Sequence, residues 1–117
     1  MPPINYYPKI LLYLFEKEYK IFKYLIMELT HIADRGRWLA VNDEVQIGEL
    51  IYRVEDNVMT ISHAEVEAFY RGNKIAEELV LAAIHQAREN DWKVVPACSF
   101  AKTVFERYPA EQDVLKK

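Results

Sequence analysis

Near Val66 the spacing of apolar residues changes from two to about 3.6, and this switch constrains the fold more than any other feature of the chain. Upstream of it the pattern alternates. Leu29, His31 and Ala33 alternate with polar neighbours, Arg35-Gly36 interrupts them, and Trp38, Ala40 and Asn42 resume the period of two. Asn42-Asp43 signals a turn. A third strand follows, with Gln46, Gly48, Leu50, Tyr52 and Val54 on one face and Val45, Ile47, Glu49, Ile51 and Arg53 on the other. Glu55-Asp56-Asn57 makes the next turn, and Val58 to Glu65 forms a fourth strand rich in β-branched residues. Turns this short imply antiparallel pairing.

Downstream of the switch, Ile75, Leu79, Ala83 and Ala87, flanked by Ala76, Val80 and Ile84, form one stripe of a helix from about Gly72 to Asn90. Lys93-Val94-Val95 supplies a short fifth strand. Because a helix carries the chain across to it, that strand is expected to run parallel to its neighbour. Ser99 is the expected cap of a last helix burying Ala101, Val104, Phe105 and Tyr108, with Pro109 ending it. The fold class is therefore α+β, with a mixed, mostly antiparallel sheet in the order β-β-β-β-α-β-α.

Composition narrows what such a domain does. At 117 residues the chain has room for a single core. A net charge of −3 argues against general nucleic-acid binding, which needs clustered Lys and Arg. The lone Cys98 forms no intramolecular disulfide and suits a reducing cytoplasm, and one Cys with three scattered His shows no metal-ligand spacing. The first 26 residues differ from the rest: four lysines against two glutamates give them +2, leaving −5 for the remainder, and they hold five of the eight tyrosines. Their longest apolar run, Ile10 to Phe15, is far below the ~18 residues that span a bilayer, and no signal-peptide cleavage site follows. Residues 1–26 thus read as an extension and 27–117 as the domain. The extension is either an amphipathic helix packing Ile10, Leu14, Ile21 and Leu25, or a stretch outside the natural product, with Met27 the start.

Two junctions concentrate the chemistry. At Tyr70-Arg71-Gly72-Asn73-Lys74 an extended segment turns into the long helix, whose unpaired amides carry partial positive charge. That is either a phosphate cradle or a plain helix start with surface charges. At Val94-Val95-Pro96-Ala97-Cys98-Ser99, Pro96 has no amide hydrogen to complete a ladder, so the fifth strand is expected to part from its neighbour there. Cys98, just before a helix N-terminus, sits where a thiolate is favoured; otherwise it is a small buried hydrophobe.

The run His63-Ala64-Glu65-Val66, then Arg71-Gly72-Asn73-Lys74-Ile75-Ala76, then Val94-Val95-Pro96-Ala97-Cys98-Ser99, resembles the minimal GNAT-like N-acetyltransferase family over residues 28 to 109. The resemblance implies a GNAT-like fold and acetyl-coenzyme A as co-substrate. Its pantetheine arm would lie between the parted fourth and fifth strands, and its pyrophosphate on Arg71, Gly72, Asn73, Lys74, Ile75 and Ala76. It also implies thioester contacts near Val66. Two positions depart from the family pattern: Lys74 stands where glycine is usual, and Ala64 where threonine is usual. A residue other than glycine held in a left-handed conformation costs roughly 1–2 kcal/mol, which a lysine charge facing phosphate partly offsets.

For acetyl transfer to an amine, Glu65 or His63 is the candidate base, and Cys98 a candidate nucleophile on a covalent route. As neighbours on a strand, His63 and Glu65 are expected to face opposite sides, so that at most one lines the site. His31 and His85, apart from the motifs, read as structural or solvated. The reading is an N-acetyltransferase acting on an unidentified amine, as a monomer or weak homodimer without nucleic-acid or membrane partners. The alternatives are a noncatalytic acyl-coenzyme-A-binding module or a small interaction protein on the same fold. Since every motif lies beyond the extension, a chain shortened to begin at Met27 is expected to remain soluble, with an unchanged melting temperature in a thermal unfolding scan. A much lower temperature would make the extension part of the domain.

Overall fold

The computed structural model describes residues 27–72 and 74–117; the reading of residues 1–26 as an extension falls outside them. One five-stranded sheet runs in sequence order: β1 (Met27–Ile32), β2 (Arg37–Asn42), β3 (Val45–Glu55), β4 (Val58–Val66) and β5 (Lys93–Pro96). Neighbours pair antiparallel except β4 and β5, which are parallel. Helix α1 (Ile75–Glu89) makes the crossover, and α2 (Ser99–Arg107) follows β5. The two-residue turns of the β2–β3 and β3–β4 hairpins hold both residues at positive φ, Asp43 and Glu44 then Asp56 and Asn57. This is the mirror-image turn geometry whose twist matches that of paired strands. Ala33, expected in the first strand, instead opens a 3₁₀ turn, Ala33–Arg35. Gly36 ends that turn at φ +64°, and any Cβ there would meet the Tyr52 carbonyl oxygen at 2.3 Å. Only glycine lets the chain pass.

Two bulges break the simple alternation. Ala40 pairs with Gly48 but Val41 with Gln46, so Ile47 is extra on β3. It is buried beside Gly48 and Leu50, although strict alternation places it on the other face. Ile51 pairs with His63 but Tyr52 with Ile61, which makes Ser62 extra on β4. The ladder between β4 and β5 runs from Val58 and Lys93 to Ile61 and Pro96, closed by the Ala97 amide on the Ile61 carbonyl at 2.9 Å. Pro96 donates nothing, β4 kinks at Ser62, and the two strands separate there. Beyond that point β4 pairs only with β3.

The core lies between the sheet and the helices. Leu29, Leu50, Met59 and Ile61 meet Leu79, Val80, Ala83, Ile84 and Ala87 of α1, and α2 adds Ala101, Val104 and Phe105. Tyr108, expected in that face, is half-buried. The tail returns through a bridge between Val94 and Leu115 and an amide of Lys116 on the Val94 carbonyl. That covers the outer edge of β5.

A polar chain crosses this core. The Trp38 indole N–H donates to Gln86 Oε1 at 2.9 Å, Gln86 Nε2 donates to the Tyr52 hydroxyl at 3.1 Å, and that hydroxyl lies 2.6 Å from His31 Nε2. Trp can only donate, which orients the Gln86 amide and leaves the Tyr52 hydrogen to point at an unprotonated Nε2. His31 also stacks on Trp38, with ring centroids 4.4 Å apart. Burial holds its imidazole below the ordinary 6.5. The unfolded chain thus takes up the proton near 6.5 and the folded chain only at lower pH. Stability is full above that value and declines as the pH falls below it. Urea midpoints measured between about pH 7 and pH 5 should fall more steeply in the wild type than in His31→Gln.

Candidate active site

Where β4 and β5 separate, a cleft of about 540 Å³ opens. One wall is the unpaired edge of β4 from His63 to Val66, the far wall is α2 through Phe100 and Arg107, and the first turn of α1 forms the end. A strand turns alternate backbone N–H groups to each side, so the edge that lost β5 offers its amides to this space. The cleft brings together His63, Glu65, Val66, Arg71, Gly72, Lys74, Ile75 and Ala76. Asn73 falls outside the described residues.

His63 and Glu65 share one face of β4. Side chains two residues apart on a strand point the same way, so the expectation that they oppose each other is corrected. His63 Nε2 lies 3.6 Å from Glu65 Oε1, and both groups line the cleft. Glu65 is also directly opposite Glu49 on β3, a like-charge juxtaposition relieved by Arg37 Nη1, 3.2 Å from Glu49 Oε2. Glu65, Val66 and Arg71 also line a second cavity of about 280 Å³, which reaches Glu49 and Glu67.

The turn into α1 is concave because two of its residues have positive φ. Gly72 sits at +86° and Lys74 at +62°. Arg71 ties the loop back to the strand, its Nε donating to the Val66 carbonyl at 3.1 Å. Helix α1 is regular from Ile75 to Glu89, starting three residues later than the periodicity suggests, because left-handed Lys74 cannot continue it. The helix amides and the Arg71 and Lys74 cations thus share one end of the cleft.

Cys98 is elsewhere. Its Sγ accepts from the Ala101 amide at 3.4 Å, so Cys98, not Ser99, caps α2. It is half-buried against the core and is not among the residues lining the cleft. His31 belongs to the polar chain described above, and His85 is exposed beside Glu89 at 3.5 Å. Tyr70, from the junction into α1, lines the cleft too, and Glu77, Phe100 and Arg107 line it without any signal in the sequence pattern. The Tyr70 hydroxyl accepts from Asn42 Nδ2 at 2.9 Å, which anchors the turn to the end of β2. Glu77 is 3% exposed yet charged. Burial opposes its ionisation, but hydrogen bonds from Tyr108 and Arg107, with the Arg107 and Lys74 charges, hold the carboxyl below its ordinary range. Among the described residues, no three His, Cys, Asp or Glu come together as metal ligands.

A mixed sheet parted between its fourth and fifth strands, with a helix N-terminus at the end of the gap, is the architecture of the GNAT fold. The model of the GCN5-related N-acetyl-transferase family matches residues 37–114, and the chain belongs to that family. A GCN5-like protein from Staphylococcus aureus, solved by NMR in solution, is similar at 30% identity over 78% of this chain and 89% of its own, with a TM-score of 0.63. A GNAT family acetyltransferase from Elizabethkingia anophelis, solved with acetyl-CoA bound, shares the fold at 19% identity and a TM-score of 0.50, covering 91% of this chain and 71% of its own. No curated protein matches the chain.

The positive φ of Lys74 is a local strain that glycine relieves. Lys74→Gly is expected to stabilise the fold by about 1 kcal/mol, net of the chain entropy glycine adds, whereas Lys74→Ala gains nothing. Denaturant midpoints of the two variants check this.

Proposed function

We propose that the chain transfers an acetyl group from acetyl-coenzyme A to an amine. The observation that carries this reading is the cleft, which has Arg71, Lys74 and the α1 amides at one end and the His63–Glu65 pair along the freed edge of β4. The residues present fit the coenzyme: cations and amides for its phosphates, and apolar walls at Val66, Ile75 and Phe100 for its arm. When bound, it would supply the acetyl thioester, and its own sulfur would be the leaving group.

In this reading His63 takes the proton of the attacking amine, an ordinary task for an imidazole at neutral pH. Glu65 holds the ring and stabilises the imidazolium. The proton then passes from His63 to the leaving sulfur, which balances the reaction. Amides on the open edge of β4 donate to the carbonyl oxygen as its charge grows. The acceptor enters from the smaller cavity, which meets the cleft at Glu65 and Val66. Cys98 serves as the helix cap and stays outside the route.

The strained Lys74 in the usual place of glycine favours a second reading, a binding module without turnover. Calorimetry and thermal shift with acetyl-coenzyme A, coenzyme A and ATP, followed by thiol release with a panel of primary amines, separate the two. Acetyl-coenzyme A at about a hundred times its dissociation constant is expected to add about 2.7 kcal/mol of apparent stability, and ATP far less. No response at millimolar concentration overturns both readings. His63→Gln should lower turnover by about 10²-fold or more while leaving coenzyme affinity intact. Cys98→Ser, which keeps a capping atom, should leave turnover unchanged. Loss of turnover in Cys98→Ser, together with an acetyl mass on the wild-type protein, would instead establish the covalent route.

A further inference from the structure

Among the described residues Glu77 is the only buried side chain that carries a charge, and the acetyl-transfer chemistry does not use it. Both of its oxygens are committed to the C-terminal end of α2. Oε1 accepts from Arg107 Nη1 at 2.7 Å and Oε2 from the Tyr108 hydroxyl at 2.5 Å. A buried ion pair adds little net stability compared with apolar residues of the same volume, so the fold alone does not call for one here. Its two members are also unequal. Glu77 is sealed, but the Arg107 side chain is 57% exposed and lines the cleft. Among the described residues, nothing accepts from its Nε or Nη2.

We propose that Arg107 binds a phosphate of the coenzyme, with Glu77 and Tyr108 as positioning residues that seat its guanidinium on the wall of the cleft. The proposal rests on the coenzyme reading above. Glu77 lies in the first turn of α1, within the field of Lys74, which places Arg107 at the end of the cleft where the helix amides emerge. Arg71, Lys74 and Arg107 outnumber the two carboxylates of the first turn of α1, Glu77 and Glu78, so this end of the cleft keeps an excess of positive charge. A guanidinium anchored through one terminal nitrogen is oriented in advance and keeps further N–H donors for phosphate oxygens. The pyrophosphate and the ribose 3′-phosphate offer the same oxygens.

Calorimetric titration of the full chain with acetyl-coenzyme A, its 3′-dephospho form and S-acetylpantetheine, which carries no phosphate, tests the assignment. Arg107→Gln is expected to weaken acetyl-coenzyme A binding about tenfold and leave S-acetylpantetheine unchanged, with Arg107→Lys recovering part of the loss. Arg107→Gln strands a buried carboxylate, so the double variant Glu77→Gln with Arg107→Gln, which removes both charges, is measured beside it and should show the same selective loss. If the difference vanishes with the 3′-dephospho form, the partner is the 3′-phosphate; if it persists, the partner is the pyrophosphate. Both results support the site. Wild-type affinity in the double variant, or an equal loss with S-acetylpantetheine, overturns it. A wild-type chain that binds no acetyl-coenzyme A overturns the coenzyme reading as well, and so is distinguishable from failure at Arg107 alone.

Discussion

The parallel ladder between β4 and β5 has a hard stop, and the site depends on it. Pro96 has no N–H, and opposite it β4 absorbs an extra residue at Ser62. Either feature alone would weaken the pairing; together they turn the two strands apart after four matched residue pairs. Three consequences follow from that point. The β4 edge from His63 to Val66 keeps its backbone groups free of β5. The chain after Pro96 is released to start α2 at Ser99, capped by Cys98. The space between them is roofed by the turn into α1.

The two ends of the cleft differ in charge, and the fold maintains the difference locally. At the α1 end, the positive φ of Gly72 and Lys74 bends the turn into a concave shape, and Arg71 locks it to Val66. Conformational strain at Lys74 is the cost of keeping a cation where glycine would be easier. At the other end, His63 and Glu65 lie beside each other on β4, with Glu49 of β3 directly opposite Glu65. The close approach of Glu49 to Glu65 is tolerable because each has a basic neighbour, Arg37 and His63.

Much of this was legible in the residue pattern, for reasons that are local. The period switch near Val66 separates strands from helix because side-chain geometry differs between them, and Pro96 marks the parting because a missing donor acts at its own position. Lys74 in a left-handed conformation follows from the glycine usual at that place. The bulges at Ile47 and Ser62 were not legible, since an extra residue leaves no compositional trace in an alternating strand, and Ile47 therefore appears on the wrong face. Ser99 and Cys98 are both able to cap α2, and only the course of the chain after Pro96 selects between them. Glu77 finds Arg107 across 30 residues of sequence, a meeting that packing decides and no local pattern announces.

The donor chain from Trp38 through Gln86 and Tyr52 to His31 draws one residue from each of β2, α1, β3 and β1. Its direction is set at one end by an indole that can only give a hydrogen, so the four residues form a single unit with one allowed orientation. Their contributions are therefore non-additive, and what any one of them is worth depends on the other three. Sequence drift at these positions is constrained to move in concert: a neutral replacement of Trp38 exists only in a background where Gln86 and Tyr52 have already changed their roles.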